Sequence, residues 1–466
     1  MMFFKQYYLG CLSHASYLVG DTTTGRAAVV DPQRDVSQYL ADAEANGLTI
    51  THAIETHFHA DFLSGHLGLA EQTGAEIVFG KFAVDHAQFP ITGLATGDKI
   101  ALGEPGVGVE LEILETPGHT PESISVVVRE RAGDEVPYGV LTGDTLFIGD
   151  VGRPDLLAAI GFTAEELARK LYHSLHEQLL TLPDATRVFP AHGAGSACGK
   201  NLSTETVSTI GEQRRTNYAL QPMTEDQFMD AVTQGQAAAP LYFLFAATKN
   251  RQAHESLDED LETPSMTLDD VLAAMATGTA VVDVRDDQSF AAGHLKGSIN
   301  VGLGGRFAEY TGEVITAGTP IIVVADPGTE PEARIRLARI GFDTVVGHLD
   351  DPLAAFTAHP EHVEQSSRLS RAELVERKSA MPDLQLVDVR GPGEIESGMI
   401  DGAVHIQLPE LVKRLGELDP AKPTVVYCAG GYRSSIAAST LLANGFADVS
   451  DLLGGYNAWT LTEVPA

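Results

Sequence analysis

The chain has 466 residues, 44% of them apolar, and it carries 64 acidic against 31 basic side chains. Its length predicts about three domains, and the apolar fraction and 46 glycines favour packed α/β domains over disorder. The acidic excess argues against nucleic acid and anionic membrane surfaces as partners, because long-range repulsion would slow both encounters.

Neither a membrane span nor a disulfide scaffold is expected. No stretch approaches the ~20 continuous apolar residues of a spanning helix. Polar residues and glycine interrupt residues 1–19, which make a poor signal-peptide core and are predicted to form a first pair of strands. The three cysteines, Cys11, Cys198 and Cys428, are odd in number and far apart, which fits a reducing cytoplasm.

The first half of the chain is predicted to be one domain. Residues 1–245 alternate short β-rich runs with glycine turns. The polar, acidic stretch after them, 246–265, is predicted to be a linker.

The second half repeats itself. VVDVRDDQSFAAGHLKGSINV (281–301) and LVDVRGPGEIESGMIDGAVHI (386–406) match at an offset of 105 residues. A repeat this long indicates a duplicated domain, and each copy alternates apolar strands with helical segments. We expect two small α/β domains with mostly parallel sheets, at 266–360 and 366–466.

A potential metal ligand directly follows a β-rich run at four places in the first domain. These ligands are His57, His119, Asp144 and His192. Loops at the ends of rigid strands can fix a coordination geometry. One such histidine would more often be structural, but four junctions in one domain predict a metal site.

The order THFHADF, PGHT, TGDTLF and PAHG resembles the metallo-β-lactamase superfamily, which implies an αββα sandwich. The superfamily signature usually ends in Asp-His, whereas Phe62 follows Asp61 here. Phenylalanine has no lone pair to donate, so a second metal would lose a ligand. One metal held by His57, His119 and Asp144 leaves open positions, as in non-haem Fe(II) enzymes that bind substrate and O₂ side by side. Zn²⁺ would accept the same ligands, so residue types alone do not name the metal.

Longer stretches, THFHADFLSGH, TPGHTPES, TGDTLFIGDVGRPDL and PAHGAGSACGK, resemble the persulfide dioxygenases of that superfamily. The resemblance implies one Fe(II) per chain, bound by His57, His119 and Asp144. It implies oxidation of a low-molecular-weight thiol persulfide with O₂ to sulfite and thiol. Three further residues would lie near the metal in its second shell: His59, Asp61 and His192. Two candidates for substrate binding are Arg153, which could instead form a salt bridge, and Cys198, which could instead be a buried structural thiol.

The stretch PTVVYCAGGYRSSIAASTLLANGF (423–446) contains a second strong signal. A β-branched strand ends at Cys428, and a glycine-rich loop and a helix-like run follow it. Backbone N–H groups of such a loop can bind an anion, and the helix dipole favours a thiolate, so Cys428 is predicted to be nucleophilic. The residues expected to cradle a persulfide are Ala429, Gly430, Gly431, Tyr432 and Ser434.

The spacing from Cys428 to Arg433 is Cys-x₄-Arg, one residue tighter than the Cys-x₅-Arg of cysteine phosphatases, and it suits a persulfide sulfur. Together with VDVR at 387–390, this stretch resembles the rhodanese sulfurtransferases. The resemblance implies that Cys428 accepts a sulfane sulfur and yields it to a thiophilic acceptor. Arg433 would help to hold the anionic donor or acceptor.

The first copy lacks the cysteine. Its corresponding stretch, 320–342, has no cysteine at all, and alignment places Val324 or, with a small gap, Asp326 at the cysteine position. Neither carries sulfur, so this copy resembles an inactive rhodanese domain. Asp283 and Arg285 of its VDVR motif are predicted to be structural.

The whole chain resembles persulfide dioxygenase–rhodanese fusions, a multidomain α/β class. The resemblance predicts that sulfite from the metal site receives a second sulfur from Cys428 to give thiosulfate, or that the flow is reversed. The expected partners are a small-molecule thiol persulfide, O₂ and sulfite or thiosulfate, with no nucleic acid and no membrane. The expected assembly is a homo-oligomer, a dimer or a tetramer. Two alternatives are a two-metal thioester hydrolase of the glyoxalase II kind fused to rhodaneses, and a non-enzymatic sulfur carrier or persulfide sensor.

Overall fold

The computed structural model describes residues 1–156 and 161–461, and the chain divides into two compact units. The first unit contains Met1–Gln236 and Phe243–Glu259, and the second contains Ala237–Tyr242 and the chain from Asp260 onward. The stretch predicted as a linker, 246–265, therefore includes residues that pack with the first unit. The predicted domain boundaries stay predictions.

Two six-stranded sheets form the centre of the first unit. The first sheet follows the chain order β1 (Met2–Leu9), β2 (His14–Asp21), β3 (Arg26–Val30), β4 (Thr49–Ile54), β5 (Glu76–Gly80) and β6 (Thr92–Leu94). The second sheet also follows the chain order, with β7 (Lys99–Ala101), β8 (Glu110–Glu115), β9 (Ile124–Arg129), β10 (Gly139–Gly143), β11 (Arg187–Pro190) and β12 (Ser208–Thr209). The predicted first pair of strands is confirmed, because β1 and β2 pair in antiparallel register.

Helices cover the outer faces of these sheets. They are α1 (Ser37–Ala45), α2 (His66–Thr73), α3 (Ala164–His173), α4 (Ile210–Thr216), α5 (Glu225–Thr233) and α6 (Phe243–Lys249). Two of them begin at a capping box, in which Thr163 caps α3 with Glu166 and Thr224 caps α5 with Gln227.

Three apolar layers explain the architecture. Between the sheets, Val19 and Val30 of the first sheet share a buried cluster with Ile113 and Val126 of the second. On one outside face, Tyr39 and Ala43 of α1 pack against β2, β3 and β4. On the other, Leu171 of α3 and Phe228 of α5 pack against the second sheet. The unit is the predicted αββα sandwich.

Two sheets with one shared strand order form the second unit. The first copy has β13 (Ser265–Met266), β14 (Ala280–Asp283), β15 (His294–Leu295), β16 (Ile299–Asn300), β17 (Ile321–Val324), β18 (Val345–Leu349) and β19 (Val363–Glu364). The second copy has β20 (Ser367–Leu369), β21 (Gln385–Asp388), β22 (Val404–His405), β23 (Thr424–Tyr427) and β24 (Val449–Leu452). The orders β13-β18-β17-β14-β16 and β20-β24-β23-β21-β22 correspond strand for strand, and the paired strands are parallel, while β15 and β19 form a separate antiparallel pair. The predicted duplication is confirmed.

The helices of the second unit flank those sheets. They are α7 (Leu268–Met275), α8 (Asp287–Ala292), α9 (Phe307–Val314), α10 (Glu330–Ala338), α11 (Pro352–Ala358), α12 (Arg371–Ala380), α13 (Pro392–Ile395), α14 (Leu408–Leu411), α15 (Tyr432–Ala443) and α16 (Gly455–Thr460). Of all the helices in the described residues, none is long and apolar enough to cross a bilayer.

The strand registers correct the alignment of the two copies at the cysteine position. Asp388 pairs with Tyr427 in one copy, and Asp283 pairs with Val324 in the other. The residue after Tyr427 is Cys428, so its counterpart is the residue after Val324, which is Ala325. Neither Val324 nor Asp326 takes the place of the cysteine, because β17 and β23 are equally long and the loop after β17 (325–329) is one residue longer than the loop after β23 (428–431). A buried methyl group stands where the thiol would be.

Candidate functional site

Three buried side chains of the first unit lie together at the ends of strands. His57 comes three residues after β4, His119 four residues after β8, and Asp144 directly after β10. One ligand atom of each lies within 4.8 Å of the others. Asp144 Oδ2 is 3.4 Å from His119 Nε2 and 3.9 Å from His57 Nε2. The predicted strand–ligand junctions therefore converge on one point.

Hydrogen bonds at Nδ1 set the orientation of the imidazole rings of His57 and His119. Nδ1 of His119 donates to the carbonyl oxygen of Arg153 at 2.9 Å. Thr56 donates its hydroxyl proton to Asp31, so its oxygen is left to accept from Nδ1 of His57 at 3.0 Å. Both rings then carry their proton on Nδ1 and direct an unprotonated Nε2 towards Asp144. Metal-binding histidines are commonly held in this way, with the other ring nitrogen donating to a protein oxygen.

Several buried polar atoms of this site lack a hydrogen-bond partner among the described residues, which fits a bound cation. Within the described part of the chain, the buried Nε2 atoms of His57 and His192 have no hydrogen-bond partner. Burial lowers the pKa of His119 to about 4 and that of His57 well below its ordinary value, so both imidazoles are neutral, the form that binds a metal. Burial also raises the pKa of Asp144 to about 6. A divalent cation among these atoms would satisfy them together.

A second reactive side chain lies in the second unit. Cys428 follows β23, is buried, and its Sγ accepts the N–H of Gly431 at 3.1 Å. Gly431 has a φ of 115°, a backbone conformation that is strained for any residue with a side chain. Helix α15 begins at the next residue. Ser434 lies 3.7 Å from the sulfur. The sulfur thus faces the Gly431 amide at the start of a twelve-residue helix.

Comparison with known proteins identifies both halves of the chain. The metallo-β-lactamase superfamily matches residues 9–192, and the rhodanese-like domain matches residues 267–359 and 370–462. The crystal structure of a metallo-β-lactamase from Staphylococcus aureus is 35% identical with a TM-score of 0.67, covering 75% of this chain and 99% of its own. The chain belongs to the metallo-β-lactamase superfamily. Two rhodanese-like domains follow that domain, so the predicted fusion is confirmed.

Curated relatives match the superfamily domain. Human persulfide dioxygenase ETHE1, mitochondrial, is 31% identical over 208 residues, which are 44% of this chain and 70% of the human protein. The cytoplasmic hydroxyacylglutathione hydrolase of Arabidopsis thaliana is 32% identical over 189 residues, 40% of this chain and 67% of the plant protein. The superfamily domain thus has both an oxygenase and a hydrolase among its relatives.

His59, predicted to lie near the metal without binding it, is held by two carboxylates at one of its ring nitrogens. Its Nε2 is 3.0 Å from Asp31 and 3.2 Å from Glu55. Burial would lower its pKa, but the two carboxylates raise it well above the ordinary value. Its Nδ1 has no hydrogen-bond partner among the described residues, and a ligand atom of His59 lies within 4.8 Å of those of Asp61 and His192. The role of His59 beside the metal stays a prediction.

Asp61 and His192 lie beside Asp144. His192 Nε2 is 3.3 Å from Asp61 Oδ2 and 3.5 Å from Asp144 Oδ1, and its Nδ1 donates to the carbonyl oxygen of Ser13. In superfamily members with two metals these residues would border the second one, whose remaining ligand position is occupied here by Phe62. The Phe62 ring is buried 4.4 Å from the ring centre of His59.

His14 is a neighbour that sequence analysis missed. It begins β2, is completely buried, and its ring lies 4.0 Å from that of Phe62. Neither ring nitrogen has a hydrogen-bond partner in the part of the chain that the structure describes. Burial, then the nearby His192 and His59, lower its pKa well below the ordinary value. The available signal in the sequence was a histidine directly before the mainly apolar run ASYLV of the predicted second strand.

The backbone of Arg153 and the side chain of Cys198 both lie beside the candidate metal site. The Arg153 guanidinium binds both oxygens of Asp155, at 2.7 and 2.6 Å, while its carbonyl orients His119. Cys198 is buried close to Asp144 and His192. Burial, followed by the charges of Asp61 and Asp144, raises the pKa of this thiol well above its usual range. Substrate binding by either residue stays a prediction.

The predicted persulfide loop and Arg433 behind it contact two separate helices, α13 and α16. Arg433 forms a two-pronged ion pair with Glu394, with N–O distances of 2.7 and 2.6 Å. The carbonyl oxygens of Cys428 and Ala429 accept the N–H groups of Tyr456 and Asn457 at 2.7 and 3.0 Å. A Cβ atom added to Gly430 would meet no neighbouring atom within 4 Å. Hydrogen bonds from α16 therefore hold the backbone of the loop, and the space beside Gly430 is open.

Proposed function

We propose that this enzyme is a persulfide dioxygenase coupled to a sulfurtransferase. The observation that carries the proposal is the pairing of two sites on one chain. One is a buried His-His-Asp set with bare imidazole nitrogens, and the other is a buried cysteine whose sulfur accepts the Gly431 N–H at the start of a helix. Both chemistries act on sulfane sulfur, and the name of the human relative supports the first of them.

His57, His119 and Asp144 would hold one Fe(II), with His59, Asp61 and His192 around it. When bound, Fe(II) supplies the one-electron chemistry that lets O₂ react with a sulfur nucleophile. The net reaction consumes one persulfide, one O₂ and one water, and yields one thiol, one sulfite and two protons. The protein's own contribution is orientation. Thr56 and the Arg153 carbonyl aim the two rings, and buried Phe62 keeps the adjacent ligand position apolar.

Cys428 would carry the sulfur. As a thiolate it attacks the sulfane sulfur of thiosulfate, forming a new S–S bond while the S–S bond of thiosulfate breaks and its electron pair leaves on sulfite. The same step in reverse makes thiosulfate from the Cys428 persulfide and sulfite. The Gly431 N–H already points at the sulfur and would stabilise the persulfide anion.

One covalent chain keeps the two steps coupled. Sulfite, the product of the first site, is the acceptor for the sulfur on Cys428. Linking two sites raises the local concentration of a shared intermediate when the connecting chain allows it. The chain is proposed to work in a reducing cytoplasm, because its three cysteines are few, odd in number and far apart in the sequence. A homo-oligomer is proposed as its assembly.

A second candidate is a two-metal thioester hydrolase joined to rhodanese domains. The Arabidopsis relative supports it, and so does a second group of potential metal ligands, His59, Asp61 and His192, beside the first ligand set. Phe62 weighs against it, because the ring offers no ligand atom. The two candidates differ in metal stoichiometry and in their use of O₂.

The deciding experiment is anaerobic purification with iron analysis, followed by O₂ uptake on adding a small-thiol persulfide. One iron per chain and stoichiometric O₂ uptake with sulfite formation are expected. An iron-loaded protein that consumes no O₂ would overturn the dioxygenase. Two metals per chain with thioester hydrolysis would establish the second candidate instead.

A further inference from the structure

The segment after α6 is built into the first unit. Residues 243–259 group with the metallo-β-lactamase domain, although they follow a stretch, Ala237–Tyr242, that groups with the second unit. Two contacts fix the chain just beyond the helix. The Arg251 carbonyl accepts the N–H of Gln88 at 2.7 Å, and the Arg251 guanidinium lies 5.1 Å over the ring centre of Phe58.

Asn250, at the end of α6, binds the metal-site loop through its whole side-chain amide. Its Nδ2 donates to the carbonyl oxygens of His59 and Phe62, both at 2.8 Å. Its Oδ1 accepts the backbone N–H of Ser64 at 2.9 Å. The side chain is 1% exposed, and its own N–H donates to Ala246 of the helix. Both amide protons and the amide oxygen are therefore used.

The loop that Asn250 binds needs such a partner. Residues 55–65 are all buried yet form neither helix nor strand, so their backbone groups cannot be satisfied by a regular ladder. An asparagine side chain can satisfy several backbone groups of such a loop at once, because its amide offers two donors and an acceptor in one plane. Here it ties together three backbone positions within six residues, directly after His57.

We infer that Asn250 is a positioning residue for the metal site. It acts through the backbone of the loop: by fixing the carbonyls of His59 and Phe62 it fixes where His57, His59 and Asp61 point. The inference rests on the metal site of the proposed function, but not on its reaction with O₂. Hydrogen-bond partners of the ligand side chains themselves commonly change metal affinity about 10- to 100-fold when lost, and this range sets the scale for a residue that acts through the backbone of the ligand loop.

The test is metal affinity in the full-length protein, measured for Co²⁺ by chelator competition, with the Co²⁺ absorption spectrum as a second readout. Asn250→Asp keeps the acceptor for Ser64 and replaces the two donors by an oxygen that repels both carbonyls. It is expected to weaken Co²⁺ binding about 10- to 100-fold and to shift the spectrum. Asn46→Asp is the matched control, because Asn46 is exposed and bonds only locally, to Asp42.

Unchanged affinity and spectrum in Asn250→Asp would overturn the inference, even if the variant melts at a lower temperature. Sulfur transfer at Cys428 should stay at the wild-type level and shows that the second unit is intact. If the variant does not fold, hydrogen exchange in the wild-type protein decides: a slowly exchanging Ser64 amide is expected, and fast exchange would contradict the hydrogen bond. A wild-type protein that binds metal but consumes no O₂ refutes the proposed function and leaves this inference standing.

Discussion

Tyr432, four residues after the candidate nucleophile Cys428, donates its hydroxyl proton to the carbonyl oxygen of Gly302 in the cysteine-free rhodanese copy, at 2.6 Å. Two further bonds join the copies near this point. Ser435 donates to Asn300 Oδ1 at 2.8 Å, and the Asn300 N–H donates to Ser439 at 3.0 Å. The copy without a cysteine therefore holds the start of α15, the helix on which the Cys428 loop depends.

Gly305 tests that support, because a methyl group added there would lie 2.7 Å from the Tyr432 ring. Gly305→Ala should displace Tyr432, at a cost of about 1–3 kcal/mol for overpacking, and lower sulfur transfer from thiosulfate. Gly304→Ala is the control, since its Cβ would meet nothing within 4 Å. The measurement is the rate of sulfite release from thiosulfate. Equal rates in the two variants would show that the cysteine-free copy does not set the geometry of the loop.

Removal of a metal ligand should separate the two activities. In His57→Ala or Asp144→Asn we expect iron content to fall from about one per chain to near zero and O₂ uptake to vanish, because two ligands of a three-ligand set hold Fe(II) weakly. Sulfur transfer at Cys428 should be unaffected. His86→Ala, an exposed histidine of the same unit, should retain iron. Iron that stays bound in both ligand variants would mean that the ligands have been misassigned.

The positions of the candidate ligands could be predicted from sequence because each depends on a local pattern, a strand followed by a histidine or an aspartate. His57 and Asp144 stand where those patterns place them, and so does Cys428. The partners of these residues depend on the three-dimensional fold. Asp31 reaches His59 from 28 residues earlier, and only the pairing of β3 with β4 brings the two together.

Contacts between residues that are far apart in the sequence could not be predicted. Asn250 binds His59 across 191 residues, and no local pattern marks an asparagine at a helix end as part of a metal site. The counterpart of Cys428 was misplaced for a different reason. The VDVR motifs and the Gly-Phe pairs of the two copies are offset by different numbers of residues, so sequence alone could not locate the gap, and only the sheet register identifies Ala325.

Cys428→Ser should abolish sulfur transfer while O₂ uptake continues. Serine keeps the shape of the side chain but cannot hold a sulfane sulfur, so the rate should fall to background, whereas sulfite still forms from persulfide. Mass spectrometry of the wild-type protein after thiosulfate treatment should find one added sulfur atom on Cys428. Cys11→Ser, at a partly exposed cysteine, is the matched control. Thiosulfate formation that persists in Cys428→Ser would contradict the proposed division of labour.

Glu313 makes the stability of the second unit depend on pH. This carboxyl in α9 is buried; burial and the nearby Glu309 raise its pKa from 4.5 to about 8, although Arg306 and Arg433 act in the opposite direction. Between those two values the folded state binds more protons than the unfolded state, so the free energy of unfolding falls as pH rises. The contribution that favours folding is fully lost above about pH 8.

Glu313→Gln removes the titration and keeps the shape. We expect the variant to gain stability relative to the wild type as pH rises from 5 to 8, because glutamine stays neutral where the carboxyl must ionise. Thermal unfolding of the full chain across that range, monitored at the second unit, is the measurement. Glu376→Gln, at an exposed glutamate of α12, should leave the pH profile unchanged. Parallel profiles for wild type and Glu313→Gln would show that Glu313 ionises normally in the folded protein.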